Sequence, residues 1–431
     1  MKYTPIEPNM FVSNRDAFRK LVKPGSLAII QSNDQMPYSS DQFFPFRQHP
    51  DFFYLTGIDQ EKSILMLFPD SPNPALREVL FLLETNEQIA VWEGHKYTKD
   101  EAAAASGIET VQWLSSFEPM LKEAMAYAEN VYLGTYENPR YGGEANYRNL
   151  RFVKDLQSRY PLHNYMRATP LITKLRLTKS AVELEIMKKA IAITAGAVQR
   201  AMKFVKPGVA EYEIEAEIIH EYISKRATGH SFYPIVASGG SACVLHYIEN
   251  NRICKDGDLL LVDTGAEYAN YAGDITRTFP VNGRFTPRQK EVYNACLRVM
   301  KEARDMLVTG THIDAYHKEV CKVMESELIG LGLITKADIT KQNPSSPAFK
   351  KYFPHGTSHF MGLDVHDEGH RFEAFRPGMV LSCEPGIYIQ EEGIGIRIEN
   401  DILITEKGPV DLTADVPVEV EEIEELMAVG Y

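Results

Sequence analysis

The chain has 431 residues, of which 44% are hydrophobic and 24% charged, and its formal net charge at pH 7 is −13. This length exceeds what one hydrophobic core usually supports, so we expect two domains of an ordinary folded protein and exclude a disordered chain. The negative charge argues against a nucleic-acid partner, and the lack of a long apolar run or leader-like start argues against a membrane partner and for a cytoplasmic location.

Residues 1–172 have the layout of an α/β domain. Short apolar runs alternate there with segments of helical periodicity, at 26–30, 63–68, 79–83 and 130–133. Two prolines interrupt the pattern between 160 and 179, and Ser180 with Glu183 then has the spacing of a capping box at a helix start. We therefore predict an N-terminal domain of residues 1–172 and a C-terminal domain of residues 173–431.

The second domain begins with a long amphipathic helix and then repeats part of its pattern. Apolar residues recur at spacings of three and four from Ile186 to Val205. About 100 residues later, near 308–316, a second pair of helical segments meets, and both halves are followed by strand-rich sequence. The repetition predicts an internal duplication with helices outside a curved antiparallel sheet. The fold class of the whole chain is therefore α+β.

Two aspartates lie where a predicted hairpin would bring them together. The apolar run 259–263 ends on Asp263, and the segment 274–279, which begins with Asp274, is its predicted partner strand. Because paired strands hold their residues at a fixed register, the two carboxylates should lie side by side. This arrangement is typical of a site that binds a cation.

A second hairpin is predicted near the end of the chain. We expect the strand 378–384 to pair with the strand 395–399. Side chains alternate along a strand, so Arg397 and Glu399 should lie on one face while the neighbouring isoleucines face the other way. An arginine beside a ligating carboxylate would hold its oxygens in place and partly neutralise their repulsion.

Five side chains of this domain are suited to binding hard metal ions. They are Asp263, Asp274, His359, Glu384 and Glu399. Four carboxylates and one imidazole form a mostly oxygen shell, which favours ions such as Mn²⁺ over structural zinc. Two divalent cations could share these ligands, and a water between them would become hydroxide near neutral pH. The residues alone thus predict a metal-dependent hydrolase.

Other kinds of catalytic site are not indicated. His355 and His359 have the spacing of the two histidines of zinc proteases, but the intervening Gly356-Thr357-Ser358 is a poor helix and contains no glutamate base. The chain has no Gly-x-Ser-x-Gly elbow and no phosphate loop with a lysine. Its five cysteines never form Cys-x-x-Cys, so reduced and mostly buried thiols are expected.

Several segments resemble the signature segments of the pita-bread metallopeptidases, and of the aminopeptidase P group among them. The C-terminal segments that carry the resemblance are 235–239, 245–247, 262–265, 271–280, 355–367, 377–380, 384–388 and 395–399. The N-terminal domain is similar to that of aminopeptidase P at 24–26, 41–48 and 51–57. The resemblance implies a C-terminal pita-bread domain, pseudo-duplicated, behind a smaller α/β domain of the creatinase and aminopeptidase P N-terminal type.

The resemblance also implies a role for each site residue. Asp274 and Glu399 would bridge two ions, typically Mn²⁺, while Asp263 holds one ion and His359 with Glu384 the other. Glu384 would also move the proton of the bridging hydroxide. The remaining residues would act on the substrate: His366 and His246 on the scissile carbonyl, His355 in the proline subsite, and Arg397 with Tyr388 as supporting contacts.

The activity that the resemblance implies is hydrolysis of the first peptide bond of a peptide with proline at its second position, by a metal-bridging hydroxide. One alternative is a prolidase, which performs the same chemistry on dipeptides alone. Another is a metal-free pita-bread binding protein, which the five retained ligand types argue against. A homo-oligomer, either a dimer or a tetramer, is also implied.

Overall fold

The chain divides into two units, one on each side of residue 176. The computed structural model describes residues 3–138, 143, 145–369 and 371–429. One unit is Thr4–Arg176, and the other is Leu177–Tyr431 together with Met1–Tyr3. The functional domain boundary between residues 172 and 173 stays a prediction. Within the described ranges, no helix combines the length and apolarity needed to span a membrane.

The first unit contains a six-stranded sheet in the order β6-β5-β4-β1-β7-β8. The strands are β1 (Ser26–Gln31), β4 (Ile64–Leu67), β5 (Glu78–Leu82), β6 (Val111–Trp113), β7 (Asn130–Leu133) and β8 (Asn164–Arg167), besides a small hairpin of β2 (Pro37–Ser39) and β3 (Gln42–Phe43). Strand β4 pairs antiparallel with β1 and β5, whereas the outer pairs are parallel. The four predicted strands of this domain are confirmed, with bounds shifted by a residue or so.

Helices of the first unit alternate with its strands. They are α1 (Pro8–Arg19), α2 (Pro50–Thr56), α3 (Glu87–Glu93), α4 (Lys99–Ser106), α5 (Phe117–Tyr127), α6 (Arg148–Arg159) and α7 (Thr169–Arg176). Alternation of the two element types produces the α/β layout that the sequence predicts. Its core is built from apolar residues of the sheet and of α5, such as Leu27, Phe81 and Leu121, all of which are fully buried.

The second unit repeats one order of elements, in which a pair of helices precedes a group of strands. The first group is α8 (Ala181–Phe204), α9 (Glu211–Ser224), β9 (Gly229–His230), β10 (Ile235–Ser238), β11 (Leu259–Thr264), β12 (Ala266–Tyr268), β13 (Tyr271–Ala272) and β14 (Ile275–Pro280). The second is α10 (Pro287–Asp305), α11 (Ile313–Gly330), α12 (Lys336–Lys341), β15 (Val380–Cys383), β16 (Gly386–Ile389), β17 (Ile394–Arg397), β18 (Asn400–Thr405), β19 (Gly408–Asp411) and α13 (Val420–Val429). This order agrees with the predicted duplication.

Local signals place the first helix pair correctly. Helix α8 begins with the predicted capping box, in which the Ser180 hydroxyl accepts the Glu183 N–H and the Glu183 carboxylate accepts the Ser180 N–H. Its buried face contributes Ile191, Val198 and Ala201 to one hydrophobic core shared with the strands. The helix therefore forms one wall of the unit that carries the candidate ligands.

The first predicted hairpin is confirmed. Strands β11 and β14 pair antiparallel with Asp263 opposite Thr276. Close approach of the chain at the ends of these strands requires glycine, since a Cβ on Gly265 would lie 1.9 Å from the carbonyl oxygen of Gly273. Asp274, which directly follows Gly273, is thereby held beside the end of β11.

The pairing predicted for the second hairpin is wrong. Strand β15 pairs with β18 instead, and the segment that was expected to be its partner, β17, pairs with β16. Pro385 has no N–H for the ladder, so β15 ends before it and a new strand starts at Gly386. A short turn through Gly393, which has a φ of 64°, then closes β16 onto β17.

Candidate metal centre

His359 stands at the centre of a group of carboxylates that we name the carboxylate cluster: Asp274, Glu384 and Glu399 around His359. The Nε2 atom of His359 lies 3.5 Å from Asp274 Oδ2, 3.6 Å from Glu384 Oε1 and 4.0 Å from Glu399 Oε1. On the other side of the ring, Nδ1 lies 3.1 Å from the Phe360 carbonyl oxygen and so donates its hydrogen there. The lone pair of Nε2 therefore points toward the carboxylates.

Neighbouring elements hold these ligand atoms from three directions. The His359 N–H donates to the Ser382 hydroxyl at the end of the sheet, and the Thr276 hydroxyl on β14 donates to Glu399 Oε2 over 2.7 Å. The Asp274 N–H donates to Asp401 Oδ2 over 3.2 Å. Residues more than 80 positions apart in the chain thus converge because the two halves of the unit meet here.

The electrostatics of the carboxylate cluster are unfavourable without a cation. Burial raises the pKa of Asp274 well above its ordinary value, and the charges of Glu399 and Asp263 raise it further. Burial and the charge of Glu384 raise the pKa of Glu399 in the same way. Like charges that lie this close repel one another, so the folded chain stores negative charge that a cation would neutralise.

The residues fit divalent metal ions. Within the described part of the chain, one group of buried residues, Asp274, His359 and Glu399, offers ligand atoms that all lie within 4.8 Å of one another. The Oδ1 atoms of Asp263 and Asp274 are buried and accept no hydrogen bond from any residue that the structure describes, so each has a free lone pair. A donor set of carboxylate oxygens with one imidazole nitrogen suits Mn²⁺-like ions.

Asp263 connects the carboxylate cluster to a second feature, which we name the arginine chain: Asp263, Arg397, Tyr388 and His355. Arg397 Nη2 donates to Asp263 Oδ2 over 2.6 Å, and Arg397 Nη1 donates to the Tyr388 hydroxyl over 2.9 Å. The Tyr388 hydroxyl lies 2.8 Å from His355 Nε2, and His355 Nδ1 lies 2.8 Å from the Gly356 carbonyl oxygen. A continuous series of hydrogen bonds thus runs from the Asp263 carboxylate to the His355 imidazole.

The arginine chain fixes the state of its histidine. The Gly356 carbonyl can only accept, so His355 donates from Nδ1 and its Nε2 accepts the Tyr388 O–H. Burial lowers the pKa of His355 to about 3, with a further contribution from the Arg397 charge. His355 is therefore a neutral imidazole whose two nitrogens are both engaged by the protein.

Two further predicted site residues are exposed near these groups. The His366 ring lies 4.4 Å from the His359 ring, measured between centroids, at an angle of 75°. His246 lies on the loop after β10, close enough to His355 for its charge to contribute to the lowered pKa of that residue. Both imidazoles are thus solvent-accessible, whereas His359 is buried.

All the predicted site residues lie in the second unit, and those of the carboxylate cluster and the arginine chain meet there; their functional roles stay predictions. The prediction that Arg397 and Glu399 share a face is confirmed, because the Thr276 hydroxyl contacts both, accepting from Arg397 Nε over 3.2 Å. Sequence reasoning missed Thr276 and Asp401. The alternation of Asp274, Thr276 and Thr278 along one strand was a signal for Thr276, whereas no local pattern pointed to Asp401.

Comparison with known proteins agrees with this geometry. Residues 185–406 match the model of metallopeptidase family M24, and residues 11–132 match that of the aminopeptidase P N-terminal domain. The chain is similar to the Xaa-Pro aminopeptidases of Escherichia coli K12, at 37% identity with 97% of each chain covered, and of Haemophilus influenzae, at 34% with 94% of each covered.

The solved structures give the same answer for the fold. Zinc-substituted E. coli aminopeptidase P in complex with product is similar at a TM-score of 0.88 and 36% identity, with 99% of each chain covered. The α+β fold with a pita-bread domain is thereby confirmed. The match extends over both units, from the aminopeptidase P N-terminal domain to the strands that carry the carboxylate cluster, and the chain belongs to metallopeptidase family M24.

Proposed function

We propose that the chain is an Xaa-Pro aminopeptidase, which hydrolyses the first peptide bond of peptides with proline at the second position. The observation that carries the proposal is the carboxylate cluster, in which three carboxylates face one imidazole nitrogen at 3.5–4.0 Å. Similarity to proteins named Xaa-Pro aminopeptidase over both units supports the choice of substrate. Within family M24, this choice favours an aminopeptidase over a prolidase.

The metal content proposed is two divalent cations, with Mn²⁺ as the ion. Asp263, Asp274, His359, Glu384 and Glu399 would hold them, with Asp274 and Glu399 shared between the two. Bound there, the cations would supply Lewis-acid polarisation of the scissile carbonyl and an activated water. The free Oδ1 atoms of Asp263 and Asp274 support this assignment.

Glu384 is the residue best placed to hold and move a proton. Its side chain is 21% exposed, against 6% for Asp274 and 2% for Glu399, so it is the carboxylate of the cluster that substrate and water reach most easily. Ser382 Oγ lies 3.4 Å from its Oε1 and orients it. Glu384 would take a proton from the attacking water and deliver it to the proline nitrogen as that nitrogen leaves.

The exposed histidines and the arginine chain would act on the rest of the substrate. His366 and His246 would donate hydrogen bonds to the carbonyl oxygen as negative charge develops there. The neutral His355 and Tyr388 would line the proline subsite, with Arg397 holding Tyr388 in place. Proline needs such a subsite because its nitrogen has no N–H that a general peptidase could bind and its ring fixes φ.

A peptide panel tests the activity. Purified protein loaded with Mn²⁺ should cleave Xaa-Pro tripeptides and longer peptides, and replacement of the proline by alanine should remove most of that cleavage. Cleavage of Xaa-Pro dipeptides alone would make the protein a prolidase. Metal analysis after loading should find two Mn²⁺ per chain, and the absence of any divalent ion would favour a metal-free binding protein instead.

Glu384→Gln tests the proton role. The amide keeps the shape and one oxygen ligand but cannot accept the proton, so we expect nearly all turnover to be lost while the melting temperature is retained. Glu391→Gln, an exposed carboxylate that pairs with Lys351, serves as the control. Unchanged kcat in Glu384→Gln would remove Glu384 from catalysis.

The assembly and cellular location are also proposals. We propose a homo-oligomer, a dimer or a tetramer, that acts in the cytoplasm. Light scattering of the purified protein measures the first, and a molar mass of one chain would contradict it. Fractionation of cells measures the second.

A further inference from the structure

Glu211, in the first turn of α9, is a fully buried carboxylate that binds a single loop at several points. Its Oε1 accepts the Ser238 N–H and the Ser238 hydroxyl, both over 2.7 Å. Its Oε2 accepts the Tyr247 hydroxyl over 2.8 Å and the Arg252 N–H over 2.9 Å. Four hydrogen bonds to an ionised group are stronger than neutral ones, so Glu211 fixes the beginning, middle and end of this stretch, which we name the 238–252 loop.

Other contacts hold the same loop on both sides. Asn250, with a φ of 44°, donates to Glu215 Oε2 on α9 and to the Pro234 carbonyl, both over 2.9 Å. On the opposite side, a Cβ on Gly395 of β17 would lie 2.2 Å from the carbonyl oxygen of Ala242. The loop therefore lies between α9 and the strand that carries Arg397.

The loop carries His246 on its exposed side and Tyr247 on its buried side. Tyr247 belongs to a small hydrophobic cluster that also contains Tyr388, a member of the arginine chain. The two residues are consecutive, so a shift of the Tyr247 backbone moves His246 as well. Glu211 thus acts on His246 through Tyr247, its hydrogen-bonded partner, which is the next residue in the chain.

We propose that Glu211 is a positioning residue of this enzyme: through Tyr247 it determines where the His246 imidazole stands, and it does not touch the substrate. The proposal rests on the role of His246 in the proposed function. Placement matters because a displacement of about 1 Å in a reacting group costs on the order of 100-fold in rate. A short 3₁₀ helix, Gly239–Cys243, ends before His246, and residues 244–252 form neither helix nor strand, so the buried carboxylate provides the precision that no backbone ladder supplies there.

Two variants weaken the anchor by different amounts. Glu211→Gln places an NH₂ group where one carboxylate oxygen stood, and the Arg252 or Ser238 N–H then faces a donor instead of an acceptor. Tyr247→Phe removes the hydroxyl that donates to Glu211 and also lies 3.5 Å from Asn251 Oδ1, and it keeps the ring in its cluster. Glu217→Gln is the matched control, since Glu217 lies on the same helix and its carboxylate pairs with Arg200.

Kinetics on an Xaa-Pro tripeptide, with Mn²⁺ content and melting temperature measured in parallel, give the main readout. We expect Glu211→Gln to lower kcat by about 10- to 100-fold with KM and Mn²⁺ content nearly unchanged. Tyr247→Phe should lower kcat less, by roughly 3- to 10-fold. Glu217→Gln should match the wild type.

A double-mutant cycle with His246→Ala separates positioning from general structural support. If Glu211 acts through His246, Glu211→Gln should lower kcat by less than about 2-fold in the His246→Ala background, because the effects of coupled residues are not additive. The same fold loss in both backgrounds would overturn the proposal, as would wild-type kcat in a folded Glu211→Gln protein. If Glu211→Gln does not fold, Tyr247→Phe decides in the same cycle.

Failure of the underlying function gives a different result. A wild-type kcat in His246→Ala would show that His246 has no role in catalysis and would overturn the proposal that Glu211 positions it. Proline-specific cleavage would still be observed in that case. If the wild-type protein cleaves no Xaa-Pro peptide, the proposed function itself is overturned. The two failures are therefore distinguished by the peptide panel.

Discussion

The carboxylate cluster and the arginine chain are neighbours that hold buried charge in opposite ways. In the arginine chain, a guanidinium lies between Asp263 and Tyr388, and every polar group from that guanidinium to the His355 imidazole meets a partner from the protein. In the carboxylate cluster, negative groups face one another around His359, and a buried oxygen of Asp274 accepts no hydrogen bond. Folding alone thus pairs the buried charge of Arg397, whereas the like charges of the carboxylate cluster repel one another, and bound cations would neutralise them.

Removing one charge from the carboxylate cluster should break activity and relieve repulsion at the same time. Asp274→Asn is expected to lose nearly all turnover, because the proposed metal site would lose one of its ligands. Without metal the same variant should be more stable than the wild type, by about 1 kcal/mol or roughly 2–4 °C, because burial and the charges of Glu399 and Asp263 disfavour the ionised carboxylate that it removes. Peptide kinetics and calorimetry after chelation measure both effects.

Asp305→Asn, an exposed carboxylate that pairs with Arg304, is the matched control for this variant and should change neither quantity. A metal-free Asp274→Asn protein less stable than the metal-free wild type would mean that repulsion does not dominate the cluster.

Removing the cation of the arginine chain should have the reverse effect on stability. Arg397→Met leaves Asp263 and Tyr388 without their donor, and breaking a buried ion pair from one side costs about 3–5 kcal/mol. Arg397→Lys keeps the charge but cannot reach both partners, so it should cost less. Urea unfolding of the metal-free variants measures these losses.

Arg298→Met, which removes an exposed ion pair with Glu327, should cost only about 0–1 kcal/mol and is the control. Equal losses in Arg298→Met and Arg397→Met would show that the arginine chain contributes no more than a surface pair.

The pH dependence of the metal-free protein should expose the repulsion directly. The pKa values of Asp274 and Glu399 lie above their ordinary values of 3.8 and 4.5 in the folded state. Between the ordinary and the raised pKa values, the folded state binds more protons than the unfolded state. The free energy of unfolding therefore falls as the pH rises through the raised pKa values. Mn²⁺ should reverse this trend, because its ligands must be deprotonated.

Melting temperatures from about pH 5 to about pH 8, with and without Mn²⁺, test this dependence. The difference in melting temperature between the Mn²⁺-loaded and the metal-free protein should increase as the pH rises. A gap that is constant or that narrows would contradict the electrostatic account of the cluster.

A second pH dependence concerns the neutral histidine at the end of the arginine chain. The pKa of His355 is lowered from 6.5 to about 3 in the folded state, so on acidification the unfolded state takes up a proton first. Its contribution to stability is therefore present above pH 6.5 and is lost as the pH falls through that value toward 3. His355→Asn lacks this contribution, so its unfolding free energy should depend less on pH than that of the wild type.

His220→Asn, at an exposed histidine on α9, is the control and should keep the wild-type pH dependence. Identical slopes in wild type and His355→Asn would mean that His355 is not held neutral by its surroundings.

Local pattern determined much of this protein. The Ser180 capping box and the shared face of Arg397 and Glu399 are set by residues within a few positions of one another. Strands β11 and β14 are also near in the chain, with Thr264 opposite Ile275. Helix starts, short hairpins and alternation along a strand are local consequences of backbone geometry, so one sequence suffices to predict them.

Tertiary structure decided which strands pair and which side chains meet. Alternation says which face a residue occupies but not which strand lies beside it, and for this reason the partner of β15 was predicted wrongly. Contacts between distant parts of the chain bring His359 within 3.5 Å of Asp274 and anchor the 238–252 loop on Glu211. The free oxygens of Asp263 and Asp274 likewise depend on which distant groups pack around them. Such contacts depend on how whole elements pack, and that packing is what brings Asp274, His359 and Glu399 into one group.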